Sequence, residues 1–350
     1  MISVPKSRLG EGALESIGGF LEDRPLVISS PGALSSVSQS LDLSRAQVVH
    51  VKGADWETLV SLAAGLDKSD FSCCLAVGGG RNIDVAKLAW KAVVNEETES
   101  PAAKRKAVID DSIPGPLIAV PTTCGSGSEA SAVSVVNIGG KKVPVFNPQL
   151  LPDLAVVDPS TLVGLPEELF TLTLWDALCH GLESFVSPLA DDLSRQWSAL
   201  GAKLAIKCLS AEQIRSPIEI GLARTAGLAA FAAGVAASAA SVGLTHAIAH
   251  CLEPLEAAEI HSSLTAKFLL PVLRFNAEKV PGKYDLLAAA LGLADRAELL
   301  SEIERLMERC DLRAGDLTGI GGETITSILR DPCARTNPTF ISGREWEEMA

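Results

Sequence analysis

Up to residue 160 the chain alternates short apolar runs with stretches of helical period; beyond it the short runs nearly vanish and long helical patterns take over. The runs Pro25–Ser29, Gln47–Val51, Cys73–Val77 and Pro116–Val120 predict strands, as do Val133–Asn137, Val143–Phe146 and Leu154–Asp158. Helical patterns lie between the early ones at 11–21, 33–41, 55–66 and 82–94. Strands alternating with helices predict an α/β domain with a mainly parallel sheet. After Asp158 come helical patterns at 166–187, 191–209, 215–240, 243–256, 262–278, 283–292 and 296–309. Pro159 and Pro166 bracket the change, so the expectation is an α/β domain over 1–160 and an all-helical domain over 161–350. Residues 95–112, charged and patternless, read as a surface excursion. Residues 226–243 carry no charge over 18 positions. That reaches the length of a membrane-spanning helix, but Ala, Gly and Ser gain little from lipid. A helix small and apolar all round is expected to be a central core helix that its neighbours approach closely.

Composition narrows the picture. The 350 residues suit two domains. Hydrophobic residues make up 47% and aromatics only 4%, so the cores must be aliphatic. The net charge of -13 repels phosphate backbones and argues against nucleic-acid partners. The opening MISVPKSRLG lacks the apolar centre of a secretory signal. The eight cysteines show no C-x-x-C spacing and several sit in apolar runs, as reduced buried thiols of a cytoplasmic protein would.

Three stretches carry chemistry. Four of the five histidines fall between 180 and 261. Asp176 and His180 are four apart, as are His246 and His250, and such pairs share one helix face. With His261 they form a set suited to divalent iron, zinc, nickel or cobalt. The second stretch, CLAVGGGRNIDVAKLAW, runs an apolar strand through Gly78, Gly79 and Gly80 into a helix, whose N-terminus offers free N–H groups to a phosphate. Asp84, on that helix, suits capping a free amide or binding a ligand amide or hydroxyl. The third, AVPTTCGSGSEAS, opens a strand into the hydroxyls of Thr122, Thr123, Ser126 and Ser128. In a parallel sheet both loops open at the carboxyl edge, where such sheets bind ligands.

In order, AVGGGRNIDVAK, PTTCGSGSE, KVPVFNPQLLPDLAVVDP, LWDALCHGLESFVS, HAIAHCLEPLEAAEIH with LLPVLRFN, and DPCARTNPT resemble the motifs of the iron-containing (group III) alcohol dehydrogenases. SRLGEGALESI resembles that family's N-terminal strand and turn, so the likeness covers nearly the whole chain. It implies a dehydroquinate synthase-like fold: a Rossmann-like α/β domain, then an all-α domain. It implies metal ligation by Asp176, His180, His246 and His261, with His250 nearby as a catalytic proton relay. Gly79, Gly80, Arg81 and Asp84 would bind a nicotinamide cofactor, Thr122, Thr123 and Ser126 would line its cleft, and Lys142 would contact its ribose. The implied reaction is reversible hydride transfer between NAD or NADP and a small aldehyde, ketone or alcohol. Iron is the first expectation for the metal and zinc the second, and self-association is expected.

Three departures stand out. Leu174 and Trp175 add bulk before the aspartate, where the family has a glycine at the first position. The gap from His246 to His261 is one residue longer than usual. Ser30 stands where many NAD-preferring members carry an aspartate, and Arg81 replaces a serine of the glycine loop, which leaves room and charge for a 2′-phosphate. A dehydroquinate-synthase-like cyclase is the rival class; the aspartate, rather than a glutamate, in the metal motif argues against it.

Overall fold

A computed structural model describes residues 2–94, 107–253 and 260–350. The N-terminal half holds strands β1 (Lys6–Leu9), β2 (Leu26–Ser29), β3 (Gln47–His50), β4 (Cys74–Gly78), β5 (Leu117–Pro121), β6 (Val133–Ile138), β7 (Lys141–Phe146) and β8 (Leu154–Val157). Its helices are α1 (Pro31–Ser35), α2 (Trp56–Ala64) and α3 (Gly80–Lys91). Six strands form one sheet, ordered β1-β8-β5-β4-β2-β3, with every pair parallel. Leu26, Ile28, Cys74, Ala76, Leu117 and Ala119 face one layer, with Leu59 and Trp90 over them. Val27, Leu75, Val77, Ile118 and Val120 face the other, under Leu14, Ile17 and Val37. Both faces are covered, which is why these strands read as unbroken apolar runs. The order reverses at β2, with β3 on one side and β4 on the other, so a crevice opens outside their carboxyl ends.

β6 and β7 leave that sheet and pair antiparallel as a separate hairpin. Gly139 and Gly140 turn it, with φ of 58° and 74°. Positive φ at both turn positions matches the strand twist of a two-residue hairpin. Two expected helices shrink. Over 11–21 there is only a 3-10 turn at Glu15–Phe20, preceded by Gly10 and Gly12 at positive φ. Over 33–41 the α-helix ends at Ser35, where Ser35, Ser36 and Ser38 bond back to carbonyls three residues earlier, a local alternative that competes with helix propagation.

The second half is helical: α4 (Ser160–Val163), α5 (Glu167–Val186), α6 (Asp192–Leu209), α7 (Ile220–Ala240), α8 (Leu244–Leu252), α9 (His261–Lys279), α10 (Pro281–Leu291), α11 (Arg296–Arg309), α12 (Gly322–Arg330), α13 (Pro332–Arg335) and α14 (Gly343–Met349). The pattern at 215–240 starts late, because Pro217 precedes it and Glu219 caps the amides of Gly221 and Leu222. Positions 254–256 of the expected helix 243–256, and most of the 95–112 excursion, lie outside the described residues.

α7 holds positions 226–240 of the uncharged stretch and is long and apolar enough by length and composition to cross a membrane. Here it is the axle of the helical layer. A Cβ on Gly201 of α6 would sit 2.8 Å from the backbone N of Ala233, and one on Gly227 would sit 2.8 Å from Val157 of β8. A Cβ on Gly234 would sit 2.3 Å from the carbonyl of Gly127. Only small residues allow this approach, and it clamps the helical layer onto the loop after β5. Leu174 and Trp175 are wholly buried in the same helical core, so their bulk is taken up by packing.

Candidate metal centre and cofactor cleft

Asp176 and His180 lie one turn apart on α5, His246 and His250 one turn apart on α8, and His261 opens α9. Oδ1 of Asp176 is 3.6 Å from Nε2 of His246 and 3.9 Å from Nε2 of His261. One donor atom from each of Asp176, His246 and His261 falls within 4.8 Å of the others. His180 stands beside this group, its ring centroid 4.3 Å from that of His246. His250 stacks on His261 with centroids 5.4 Å apart.

Hydrogen bonds set the tautomers. Nδ1 of His180 is 2.8 Å from the backbone carbonyl of Asp176. A carbonyl only accepts, so Nδ1 carries the proton and Nε2 keeps its lone pair. Nδ1 of His246 is 2.6 Å from Oε2 of Glu183. Glu183 is held in turn by the N–H groups of Gly243 and Thr245, at 2.8 and 2.7 Å. Nε2 of His246, facing Asp176, is buried without a hydrogen-bond partner. A buried orphan nitrogen is costly unless something fills its lone pair, and a divalent cation would. A carboxylate behind a ligating imidazole is the usual support of such a site. The donor set therefore fits a metal.

The electrostatics agree. Burial alone would raise Asp176, but His180, His246 and His261 hold its carboxyl well below the ordinary range. Burial lowers His180, with His246 adding to it, and brings His261 down to about 4. Burial also disfavours the His246 cation, yet the carboxylates of Asp176 and Glu183 on either side outweigh that and bring it to about 9. A metal at Nε2 would displace that proton.

The cleft lies alongside. Ser30 follows β2, Gly79 caps α3 and Gly80 begins it, exposed Arg81 comes next, and Thr122, Thr123 and Ser126 follow β5. Gly78 has φ 147°, and its missing Cβ leaves space for Asn82, whose Nδ2 donates to the Val77 carbonyl and, at 3.3 Å, to the Ser30 hydroxyl. A Cβ on Gly80 would sit 2.5 Å from Oγ of Ser126, so the two loops touch. A Cβ on Gly125 would sit 3.2 Å from Oδ2 of Asp176, so the same loop reaches the metal cluster. The fit to a dinucleotide rests on this glycine cradle at the switch of the sheet.

Two cofactor candidates have partners within the chain. Asp84 is buried; its Oδ1 accepts from the Ser128 hydroxyl and its Oδ2 from the N–H of Val135 at 2.9 Å, with Lys87 3.6 Å away. It caps a free amide inside the protein, the first of the two roles its position allowed. Lys142 on β7 pairs with Glu253, whose carboxylate lies 3.3 Å from Nδ1 of His261. Sequence reasoning did not assign Glu183 or Asp331. Glu183 was findable: it lies seven residues after Asp176, two helical turns on and on the same face.

A model of iron-containing alcohol dehydrogenases matches residues 5–159, and one of the C-terminal part of the Fe-containing alcohol dehydrogenase family matches residues 170–342. The 1-propanol dehydrogenase PduQ of Salmonella typhimurium is 30% identical over 95% of this chain and 90% of its own length. The 4-hydroxybutyrate dehydrogenase of Cupriavidus necator is 29% identical over 93% and 91%. Among solved structures, an alcohol dehydrogenase from Oenococcus oeni superposes with a TM-score of 0.86 at 22% identity, covering all of both chains. The sulfoacetaldehyde reductase of Bifidobacterium kashiwanohense, solved with NAD+, gives 0.81 at 23% identity, covering 100% of this chain and 97% of that one. At those identities the structural likeness speaks for the fold.

Proposed function

Because the chain belongs to the iron-containing alcohol dehydrogenase family, we propose that it interconverts a small primary alcohol and its aldehyde with NAD(P). The observation that carries this reading is the meeting of Asp176, His246 and His261 beside a glycine cradle whose own loop touches Asp176. Those three residues and His180 would hold the metal. Gly79, Gly80, Arg81, Thr122, Thr123 and Ser126 would hold the cofactor. When bound, the divalent ion supplies a Lewis acid for the reacting oxygen, and the nicotinamide supplies or accepts the hydride. The chain's own residues do the rest. Glu183 and the Asp176 carbonyl orient two imidazoles, and the apolar walls of α5 and α8 keep water out. Buried His250 exchanges the proton of the alcohol. His250→Ala is expected to lower turnover far more than metal content.

For the cofactor, the small Ser30 side chain and exposed Arg81 favour NADP. Ser30→Asp should shift the kcat/KM ratio toward NADH, and wild-type turnover that is equal or better with NADH would count against the preference. Relatives named for 1-propanol and 4-hydroxybutyrate support short aliphatic substrates. The proposal includes self-association, since β1 is a sheet edge with Val4 and Leu9 exposed beside it; sedimentation reads it.

The deciding experiment measures NADPH oxidation over a panel of short aldehydes, with iron and zinc supplied in turn. Activity that disappears together with bound metal in Asp176→Ala is the expected result. A fully metal-loaded protein inert toward every aldehyde, with either nucleotide, would overturn the reading.

A further inference from the structure

His250 has a partner of its own. Its Nδ1 lies 3.5 Å from Oδ2 of Asp331 and 4.0 Å from Sγ of Cys333, and all three residues are buried. Asp331 is the N-cap of α13, where Oδ1 accepts the N–H of Cys333 at 2.8 Å. That bond fixes the carboxylate and leaves Oδ2 beside the imidazole. Of the two groups near Nδ1, the carboxylate oxygen is closer and is much the stronger acceptor. An ionised carboxylate only accepts, so a bond closing this 3.5 Å gap would need the proton on Nδ1.

We propose that Asp331 is a positioning residue for His250: it holds the Nδ1–H and so leaves Nε2 as the nitrogen that exchanges a proton. The inference rests on the reading of His250 as the proton-moving group. It gives His250 the same kind of support that Glu183 gives His246 and the Asp176 carbonyl gives His180.

Asp331→Asn separates this role from a structural one. Asparagine caps a helix about as well as aspartate, so α13 should keep its start. The amide, however, can turn its NH2 toward Nδ1 and move the proton to Nε2. We expect kcat to fall by about 10²–10⁴, the usual weight of a positioned acid–base group, with KM and metal content near wild type. Asp331→Glu should restore part of the loss. In a His250→Ala background, Asp331→Asn should cost nothing further, because both act through one ring. A readout independent of turnover comes from the zinc-loaded full chain with 15N-labelled histidine, whose five rings make assignment practical. The His250 proton should sit on Nδ1 in wild type and on Nε2 in Asp331→Asn.

An unchanged tautomer, or the same loss of kcat with and without His250, would sink the proposal. So would a second equivalent of bound zinc that Asp331→Asn and Cys333→Ala each remove, since the cluster would then be a cation site. Full kcat in His250→Ala would instead remove the proton-moving role, while the spectrum still decides whether Asp331 sets the tautomer.

Discussion

Glu183 shows how much one buried carboxylate controls. Burial favours its neutral form, but His246 and the amides of Gly243 and Thr245 hold its pKa below the ordinary carboxyl value. It therefore stays a pure acceptor and keeps the His246 proton on Nδ1. Glu183→Gln is expected to weaken metal affinity about 10–100-fold without unfolding α5; chelator competition measures it, and unchanged affinity would remove Glu183 from the site. Lys87 and Glu129 pose a different question. Burial brings Glu129 up to about 7 and Lys87 down to about 8. Between the ordinary 4.5 and about 7 the folded protein keeps a proton on Glu129 that the unfolded chain has lost. Stability contributed by that proton therefore falls as pH rises through this window. Lys87 has the opposite sign: stability recovers as pH rises from about 8 toward its ordinary 10.5. Glu129→Gln should raise Tm at neutral to mildly alkaline pH and converge on wild type near about pH 5; an equal offset at both ends would refute this. The clustering of Asp176 with His180 and of His246 with His250 was legible in the sequence because i, i+4 pairing survives as spacing. Asp331 was not, because it stands 81 residues after His250 and only the packing of α13 against α8 brings them together.

At the scale of elements, α8 and α9 carry His246, His250 and His261, and a single amide ties them to the C-terminal motif. Asn337 exchanges two hydrogen bonds with Asn276 of α9, at 2.8 and 2.9 Å. Its Oδ1 also lies 3.4 Å from the N–H of Leu244, where α8 begins. Next to it, the Thr336 hydroxyl bonds to Ser241 and to the carbonyl of Val242. Ser241 sits at φ 63°, a conformation that costs energy in a non-glycine residue, so the α7–α8 connector is held in place by its surroundings. Asn337→Ala leaves a buried amide and a helix-start N–H without partners, about 1–3 kcal/mol for each group. Denaturant titration of the metal-free protein should show a loss of that order, and the variant should need more metal to reach full occupancy. A stable variant with normal metal uptake would show that α8 and α9 are placed by packing alone. The long helices and the central strands could be read from periodicity, because burial on one or both faces writes itself into the residue order. The β6 and β7 runs were read as strands, but their pairing as a separate antiparallel hairpin was not, since local pattern does not say which edge a strand joins. The short α12, α13 and α14 were missed: each is only one to three turns long and leans on neighbours for its apolar contacts.

Across the whole molecule, one loop ties the sheet, the glycine cradle and the helical half together. Residues 121–130 leave the sheet, support the glycine cradle, press Gly125 against Asp176 and let Gly127 meet Gly234 of α7. An ion held by Asp176, His246 and His261 would cross-link α5, α8 and α9 on the far side of that loop. It would do so in a chain of net charge -13, which favours cations everywhere but offers this convergence of buried donors in few places. Metal that binds only the folded state stabilises it by RT ln(1 + [L]/Kd), about 2.7 kcal/mol at a hundredfold excess over Kd. For 350 residues, at about 2.1 cal/mol/K of unfolding entropy per residue, that is a Tm shift of about 4 °C. Zinc added to the metal-free chain should therefore raise Tm and slow hydrogen exchange in α8 and α9 more than in α11, which carries no ligand. Asp176→Ala should abolish both effects, while Glu308→Gln, exposed on α11, should preserve them. A uniform slowing of exchange, or a Tm shift that survives Asp176→Ala, would mean that zinc acts on the surface charge and not by joining these three helices.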